Sequence, residues 1–309
     1  MKLNKKKFDK SLFVFYLSLI ILPVIQFIIF YIIVNANSLA LSFKNYYYDD
    51  ANNLVTEFVG FKNIANVYKS LFTDAQFITT IKNSFLFYVM SLVFGAAVSL
   101  FFSYYIYKKR LFAGFYKVIL YMPHIVSTMV ITIMYKFFCE YGIPSIVETL
   151  TGKVVGGFSA SLDTEFAYLL FFVAFLGCGA NMLIYTSTMA SISDSVIEAA
   201  EVDGVNYIQE FWYIVLPSIF PTFSLFLVTG LLTIFTGQGN LFNIYGLGAP
   251  EEFHTLGYYL FVQVRRALDS NSYIDYPYLA AFGLALTFIA IPLIFGLKWL
   301  LQKYGPKAD

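Results

Sequence analysis

The stretch "EAAEVDGVNYIQEFWYIVLPSIFP", residues 198–221, holds four carboxylates and no lysine or arginine, and it lies between two long apolar runs. The nearest basic residues along the chain are Lys153 on one side and Arg265 on the other. Read from sequence alone, the charges that answer these acids belong to another protein. The residues from Asp194 to Asp203 are expected to form a helix, with Ser195 and Glu198 as an S-x-x-E capping box. Gly204 is the expected stop, because glycine takes up the left-handed conformation without a Cβ penalty. Asp194, Glu198 and Glu201 fall at i, i+4 and i+7, which puts three carboxylates on one face. Val196, Ala199 and Ala200 fall on a second face of smaller residues, which a partner could approach closely. After the glycine, "NYIQEFWYIV" reads as a short amphipathic ramp, and Pro217 suits the first turn of a following helix.

The rest of the chain sets the environment of that loop. Of 309 residues, 59% are hydrophobic and only 13% are charged, about half the share typical of soluble domains. Such a chain has too little polar surface to cover itself in water, so it is an integral membrane protein. Its net charge of +1 gives no reason to expect nucleic acid. Cys139 and Cys178 lie at or inside apolar segments, so neither a disulfide framework nor a thiolate metal site is expected.

A bilayer core takes roughly 20 mostly apolar residues per helix. Six stretches qualify: 12–34, 83–107, 115–138, 166–187, 218–235 and 278–301. The first is too long for the apolar region of a secretory signal, so an uncleaved helix is expected. Five lysines precede it, Lys108–Arg110 follow the second, and Lys298, Lys303 and Lys307 sit at the end of the sixth. The positive-inside rule then turns both termini and the 108–114 loop to the cytoplasm. Alternation makes 35–82, 139–165 and 236–277 external and 188–217 cytoplasmic. The fold expected is all-α, a single membrane domain over 1–309. Segment 236–277, rich in glycine and amides, is a candidate for partial re-entry, which is allowed where protein or water shields the backbone.

In word order the chain resembles the permease subunits of binding-protein-dependent ABC importers. Their hallmark is E-A-A, three residues, G, about nine residues, then I-x-L-P. Glu198, Ala199, Ala200, Gly204, Ile214, Leu216 and Pro217 match it at full spacing. Asp203, Gln209, Phe211 and Pro221 agree further with the carbohydrate branch. The likeness extends to a G-x-x-N element before Asn83-Ser84, to "YMPHIVSTMVITIMYKFF" in the third span, and to "GAPEEFHTLGYYLF" before the last. The first span resembles that of the MalF-like, first-listed member of a permease pair. Two features depart: Ile192-Ser193 stands where the family usually has Ile-Pro, and the large external insertion of the maltose permease is missing.

The resemblance implies a non-catalytic transport subunit in a bacterial cell membrane. It implies a second permease, two cytoplasmic ATP-binding subunits, an extracellular solute-binding protein and a sugar or oligosaccharide cargo. Residues 198–203, with Glu201 and Asp203 among them, are implied to dock in a cleft of the ATPase, and Gly204, Ile214, Leu216 and Pro217 to complete the coupling element. No cofactor is expected on this chain, since it has no G-x-x-x-x-G-K-[ST] phosphate loop; ATP and Mg would sit on the partner. For the solute path Asn181, Thr233, Gln238, Asn240 and Asn243 are candidates by residue type. Interhelical packing is their alternative, helped by Gly177, Gly179 and Ala180. The tyrosines and phenylalanines are expected mostly in the core or facing lipid.

His124 and His254 lie far apart, and no metal ligation is expected. Lys136 and Glu140, four apart, read as a local ion pair or a snorkelling lysine. A permease for a non-sugar solute, a secondary transporter or channel, and an intramembrane enzyme are the competing classes. The clustering of charge at edges and loops weighs against ion coupling, and no nucleophile and base appear at defined spacing.

Overall fold

A computed structural model describes residues 10–51, 53–270 and 273–306. Most of the N-terminal lysines, and Lys307, on which the orientation rests, lie outside the described residues. Among the described residues six helices are long and apolar enough to cross a membrane: Val14–Ser42, Ala75–Tyr107, Thr128–Thr151, Leu162–Met189, Tyr207–Thr236 and Tyr276–Tyr304. We number these spans one to six.

The chain packs as two compact units, Met1–Lys69 with Val264–Ala285, and Ser70–Gln263 with Leu286–Asp309. In the first unit the opening span exposes its apolar side chains along its length, as suits a helix whose surroundings are hydrocarbon. A short hairpin follows within the otherwise helical chain. Strand β1 (Lys44–Tyr48) pairs antiparallel with β2 (Leu54–Phe58), Lys44 opposite Phe58. Asp49 holds the turn, its Oδ1 accepting from the amides of Ala51 at 3.0 Å and Asn53 at 2.7 Å. Asn63, on the next helix, donates to the Lys44 carbonyl at 2.6 Å and ties the hairpin's base down.

The second unit carries spans two to five. Asp74 caps span two, accepting from the Gln76 amide at 3.0 Å, and Ser161 caps span four through the Thr164 amide at 3.2 Å. Small residues bring these two helices together. Gly95 faces the backbone of Gly177, Ser99 donates to the Cys178 carbonyl at 2.5 Å, and Ser103 to the Met182 carbonyl at 2.9 Å. Close backbone approach with interhelical hydrogen bonds is how helices associate where no hydrophobic effect drives them. Both cysteines are free and buried.

Four spans differ from expectation: the first runs on to Ser42 rather than 34, the second starts at Ala75 rather than 83, and the third and fifth are shifted further. The stretch 115–138 is not one helix. Helix Ala113–Ile125 ends, Val126 and Ser127 are extended, and the third span starts at Thr128 and runs on to Thr151. Ser127 supplies the new N-terminus there. The fifth span begins at Tyr207 rather than 218, because the ramp and the membrane helix are continuous. Its π-helical piece Phe211–Val215 leads straight into Pro217, just as Phe138–Gly142 leads into Pro144. A proline has no N–H to give to the carbonyl four residues back, and a wider turn absorbs that gap without breaking the rod.

Lys136 and Glu140 do not pair. Glu140 Oε2 accepts from the backbone amide and the hydroxyl of Ser159, both at 2.8 Å. The Lys136 ammonium lies 5.7 Å from the ring centre of Phe158 and 5.5 Å from that of Tyr245.

Candidate functional site

The acidic loop is a helix, an elbow and a ramp. The helix covers Asp194–Val202. Its N-cap is Ser193, so the third helical position is Val196, which cannot reciprocate; the capping box expected of Ser195 and Glu198 is absent. The Ser193 and Ser195 hydroxyls instead meet at 2.8 Å. At the other end Gly204 has φ +74°. The Val205 amide donates to the Ala200 carbonyl at 3.1 Å and the Gly204 amide to the Glu201 carbonyl at 3.2 Å. That bond pair is the Schellman arrangement, which only a residue at ease in the left-handed region closes without strain.

A reciprocal capping box does occur at the start of the ramp. Asn206 Oδ1 accepts from the Gln209 amide at 2.9 Å, and Gln209 Oε1 accepts from the Asn206 amide at 3.0 Å. Beyond it, Val215 and Ile219 are fully buried against Tyr185 and Met189 of the fourth span. Within I-x-L-P it is therefore the unspecified position, Val215, that is most deeply packed, while Ile214, Leu216 and Pro217 are half-buried.

Two of the loop's carboxylates, Glu201 and Glu210, are answered within the chain rather than by a partner. Lys108, capping the end of span two, places Nζ 2.9 Å from Glu210 Oε1 and 3.7 Å from Glu201 Oε1. Glu210 is 3% exposed and Lys108 13%, whereas Glu201 is 65% exposed. The close contact is an ion pair rather than a well-directed hydrogen bond. Arg110 covers the Tyr207 ring at 4.3 Å. The Tyr104 hydroxyl donates to the Tyr207 carbonyl at 3.2 Å, and its ring lies 5.3 Å from Phe211. Glu198, Asp194 and Asp203 point outward, and no ion pair to them forms among the described residues. Ala199 is exposed on the same helix. Ala200, expected on a face open to a partner, is buried.

Four of the five solute-path candidates line one cavity. Thr233, Gln238, Asn240 and Asn243 surround a space of ≈ 320 Å³ with Ser84, Tyr88, Ser91 and Thr255. Asn181 lines a smaller space of ≈ 80 Å³ that shares Tyr88, Ser91 and Thr233 with the first. Among the lining residues of both there is no Asp, Glu, Lys or Arg. The chain turns into the cavity through Gly239 and Asn240, both at φ +57°. Asn243 then donates to Asn240 Oδ1 at 3.1 Å, and Thr255 donates to the Gly237 carbonyl at 2.8 Å. Segment 237–255 is thus short helices and turns folded over the ends of spans two and five.

Sequence reading missed Ser84, Tyr88 and Ser91, which lie on span two and meet the candidates only in space. Of the histidines, His254 Nε2 lies 3.2 Å from the Ala249 carbonyl and His124 stacks on Tyr121. No cluster of metal-ligating residues occurs among the described residues. A separate apolar groove of ≈ 600 Å³ runs between spans two and five, from Leu92 to Tyr104 on one and from Tyr207 to Leu227 on the other.

Residues 91–309 match the family described as "Binding-protein-dependent transport system inner membrane component". The chain is 29% identical over 170 residues to a probable ABC transporter permease protein of Mycoplasma genitalium, covering 53% of this chain and only 51% of that one. It is 24% identical over 252 residues to the multiple sugar-binding transport system permease protein MsmF of Streptococcus mutans, with 80% and 82% covered. It is 26% identical over 230 residues to the sn-glycerol-3-phosphate transport system permease protein UgpA of Pectobacterium atrosepticum, with 72% and 75% covered. Among solved structures it superposes on a chain of a bacterial ABC transporter involved in the import of the acidic polysaccharide alginate. There the TM-score is 0.76 at 20% identity, over 96% of this chain and 97% of that one, a likeness of fold.

Proposed function

The chain belongs to the family of binding-protein-dependent transport system inner membrane components, a multi-pass membrane transport component, and from that premise we propose that it is one permease subunit of an ATP-driven importer. In this reading the whole chain is one permease domain with both termini in the cytoplasm. A second permease completes the pathway, and the apolar groove between spans two and five offers it a contact surface. Two ATP-binding subunits carry ATP and Mg and do the hydrolysis, and an extracellular binding protein delivers the cargo. This chain is not catalytic.

The observation that carries the reading is the outward-facing helix Asp194–Val202. It presents Glu198, Ala199 and Asp203, ends at Gly204, and continues through a buried Val215 into a membrane span. A helix so placed can be seized by a cytoplasmic partner and can pass a rigid-body movement to the bilayer. The experiment is uptake and ATP hydrolysis by the reconstituted complex: Glu198→Lys is expected to cut both, and undiminished coupled uptake would defeat the reading.

For the cargo, the multiple-sugar and alginate relatives support a saccharide. The cavity adds a preference. Amides, hydroxyls and the Tyr88 ring suit a sugar's hydroxyls and apolar face, and the absence of a cation among the lining residues leaves a phosphate or uronate without a partner. An uncharged sugar or oligosaccharide is therefore the cargo proposed. Competition of uptake by neutral oligosaccharides, and none by glycerol phosphate or alginate fragments, is the expected outcome.

A further inference from the structure

The elbow at Gly204 poses a mechanical problem. A glycine in an open surroundings (a Cβ added there would meet nothing within 4 Å) is a pivot. Force applied to the helix before it would be lost in bending. One side chain in the structure reaches both limbs. The Lys108 ammonium reaches Glu201 on the near limb at 3.7 Å and Glu210 on the far limb at 2.9 Å. Its own backbone amide is fixed to the Tyr104 carbonyl at 3.0 Å, at the end of span two. Arg110 over Tyr207, and the Tyr104 hydroxyl on the Tyr207 carbonyl, secure the same joint.

We propose that Lys108 is a brace across the Gly204 elbow, so that helix Asp194–Val202, the ramp and the ends of spans two and five move as one body. The inference rests on the permease reading above. A buried ion pair adds little to stability over a well-packed apolar pair, because removing two charges from water offsets their attraction. What it does supply here is one charged group, carried on the end of span two, that pairs with a carboxylate on each limb, which no apolar side chain provides. Lys108 and Glu210 are positioning residues: they touch neither nucleotide nor cargo.

The test uses the full complex with its partner permease and ATPases in proteoliposomes. Spin labels at Leu111 and Val202, and at Val202 and Tyr213, all exposed, report distances with no nucleotide and with ATP and vanadate. In otherwise unaltered protein each distance is expected to be narrow and the same in both states. In Lys108→Met/Glu210→Met, which leaves no lone buried charge, the distances are expected to broaden or to shift between states. The complex should keep its thermal midpoint, while the ATP-driven uptake per ATP hydrolysed falls about five-fold or more. Lys108→Arg, keeping the charge, is expected to behave as the unaltered protein. A distance that changes between states without any substitution, or a double variant that stays narrow and coupled, overturns the brace. Loss of all ATP-driven uptake in the unaltered complex would instead overturn the permease reading.

Discussion

Asn83 donates its side-chain amide to the Glu252 carbonyl at 2.6 Å and to the His254 carbonyl at 3.2 Å. Its neighbour Ser84 accepts from the Leu256 amide at 2.8 Å. The Asn-Ser step at the entry to the second span and the G-x-P…T segment before the last are thus two halves of one clasp. That clasp seals one end of the cavity, since Ser84 and Thr255 both line it.

Replacing Asn83 by leucine removes the donor and strands two carbonyls at a residue only 4% exposed. An unsatisfied buried polar group costs on the order of 1–3 kcal/mol. The thermal midpoint of the purified complex is expected to fall, with Asn83→Asp worse, since a carboxylate would face carbonyl oxygens. An unchanged midpoint would show that the clasp does not hold the fold.

At Gly204 the obstacle to substitution is backbone conformation alone. Valine at φ +74° is strained by roughly 1–2 kcal/mol, whereas asparagine tolerates that region. Gly204→Val is expected to reduce ATP-driven uptake strongly with little loss of protein in the membrane, and Gly204→Asn to keep most of it. Equal uptake by the two would remove the elbow from the mechanism.

Gly179 and Gly95 separate crowding from mere proximity. A methyl at 179 runs into the Leu120 carbonyl and the His124 ring, while one at 95 makes ordinary contacts with Gly177 at 3.6 Å or more. Overpacking costs typically 1–3 kcal/mol, so Gly179→Ala is expected to lower the midpoint and Gly95→Ala to leave it nearly unchanged. Detergent-resistance assays of both variants check the contrast.

Within the cavity, Asn243→Ala and Gln238→Ala each remove one hydrogen-bonding group. If each bond is worth about 1 kcal/mol, KM for uptake rises about five-fold per substitution with ATP hydrolysis at saturation retained. Asn240→Gly keeps the left-handed turn and tests the side chain alone. Unaltered KM in all three would assign these residues to packing.

How much of this was readable from the chain follows from the range of each interaction. Long apolar runs announced six spans because hydrocarbon contact is a property of composition. The end at Gly204 was legible because a left-handed cap has a residue signature. The continuity of the fifth span was not: "NYIQEFWYIV" read as a separate ramp, and its fusion with the membrane helix rests on Glu210 and Val215 being buried against residues of other spans. The break at Val126 carried no stronger local sign than Pro123. The hairpin was marked by three tyrosines before "DDANN" and Leu54-Val55 after it, a turn signal hidden inside a segment treated as a connector. Four cavity residues were found by type, and Ser84, Tyr88 and Ser91 were not, because their partners come from distant sequence.

The uninterrupted fifth span fixes a scale for the motion. Its 30 residues make a rod about 45 Å long at 1.5 Å per residue, so a tilt of roughly 10° at the acidic tip sweeps the far end, beside Thr233, through about 8 Å. Such a stroke is as wide as a sugar ring. The fifth span, carried with its braced tip, thereby has the amplitude to open and shut a passage of molecular width.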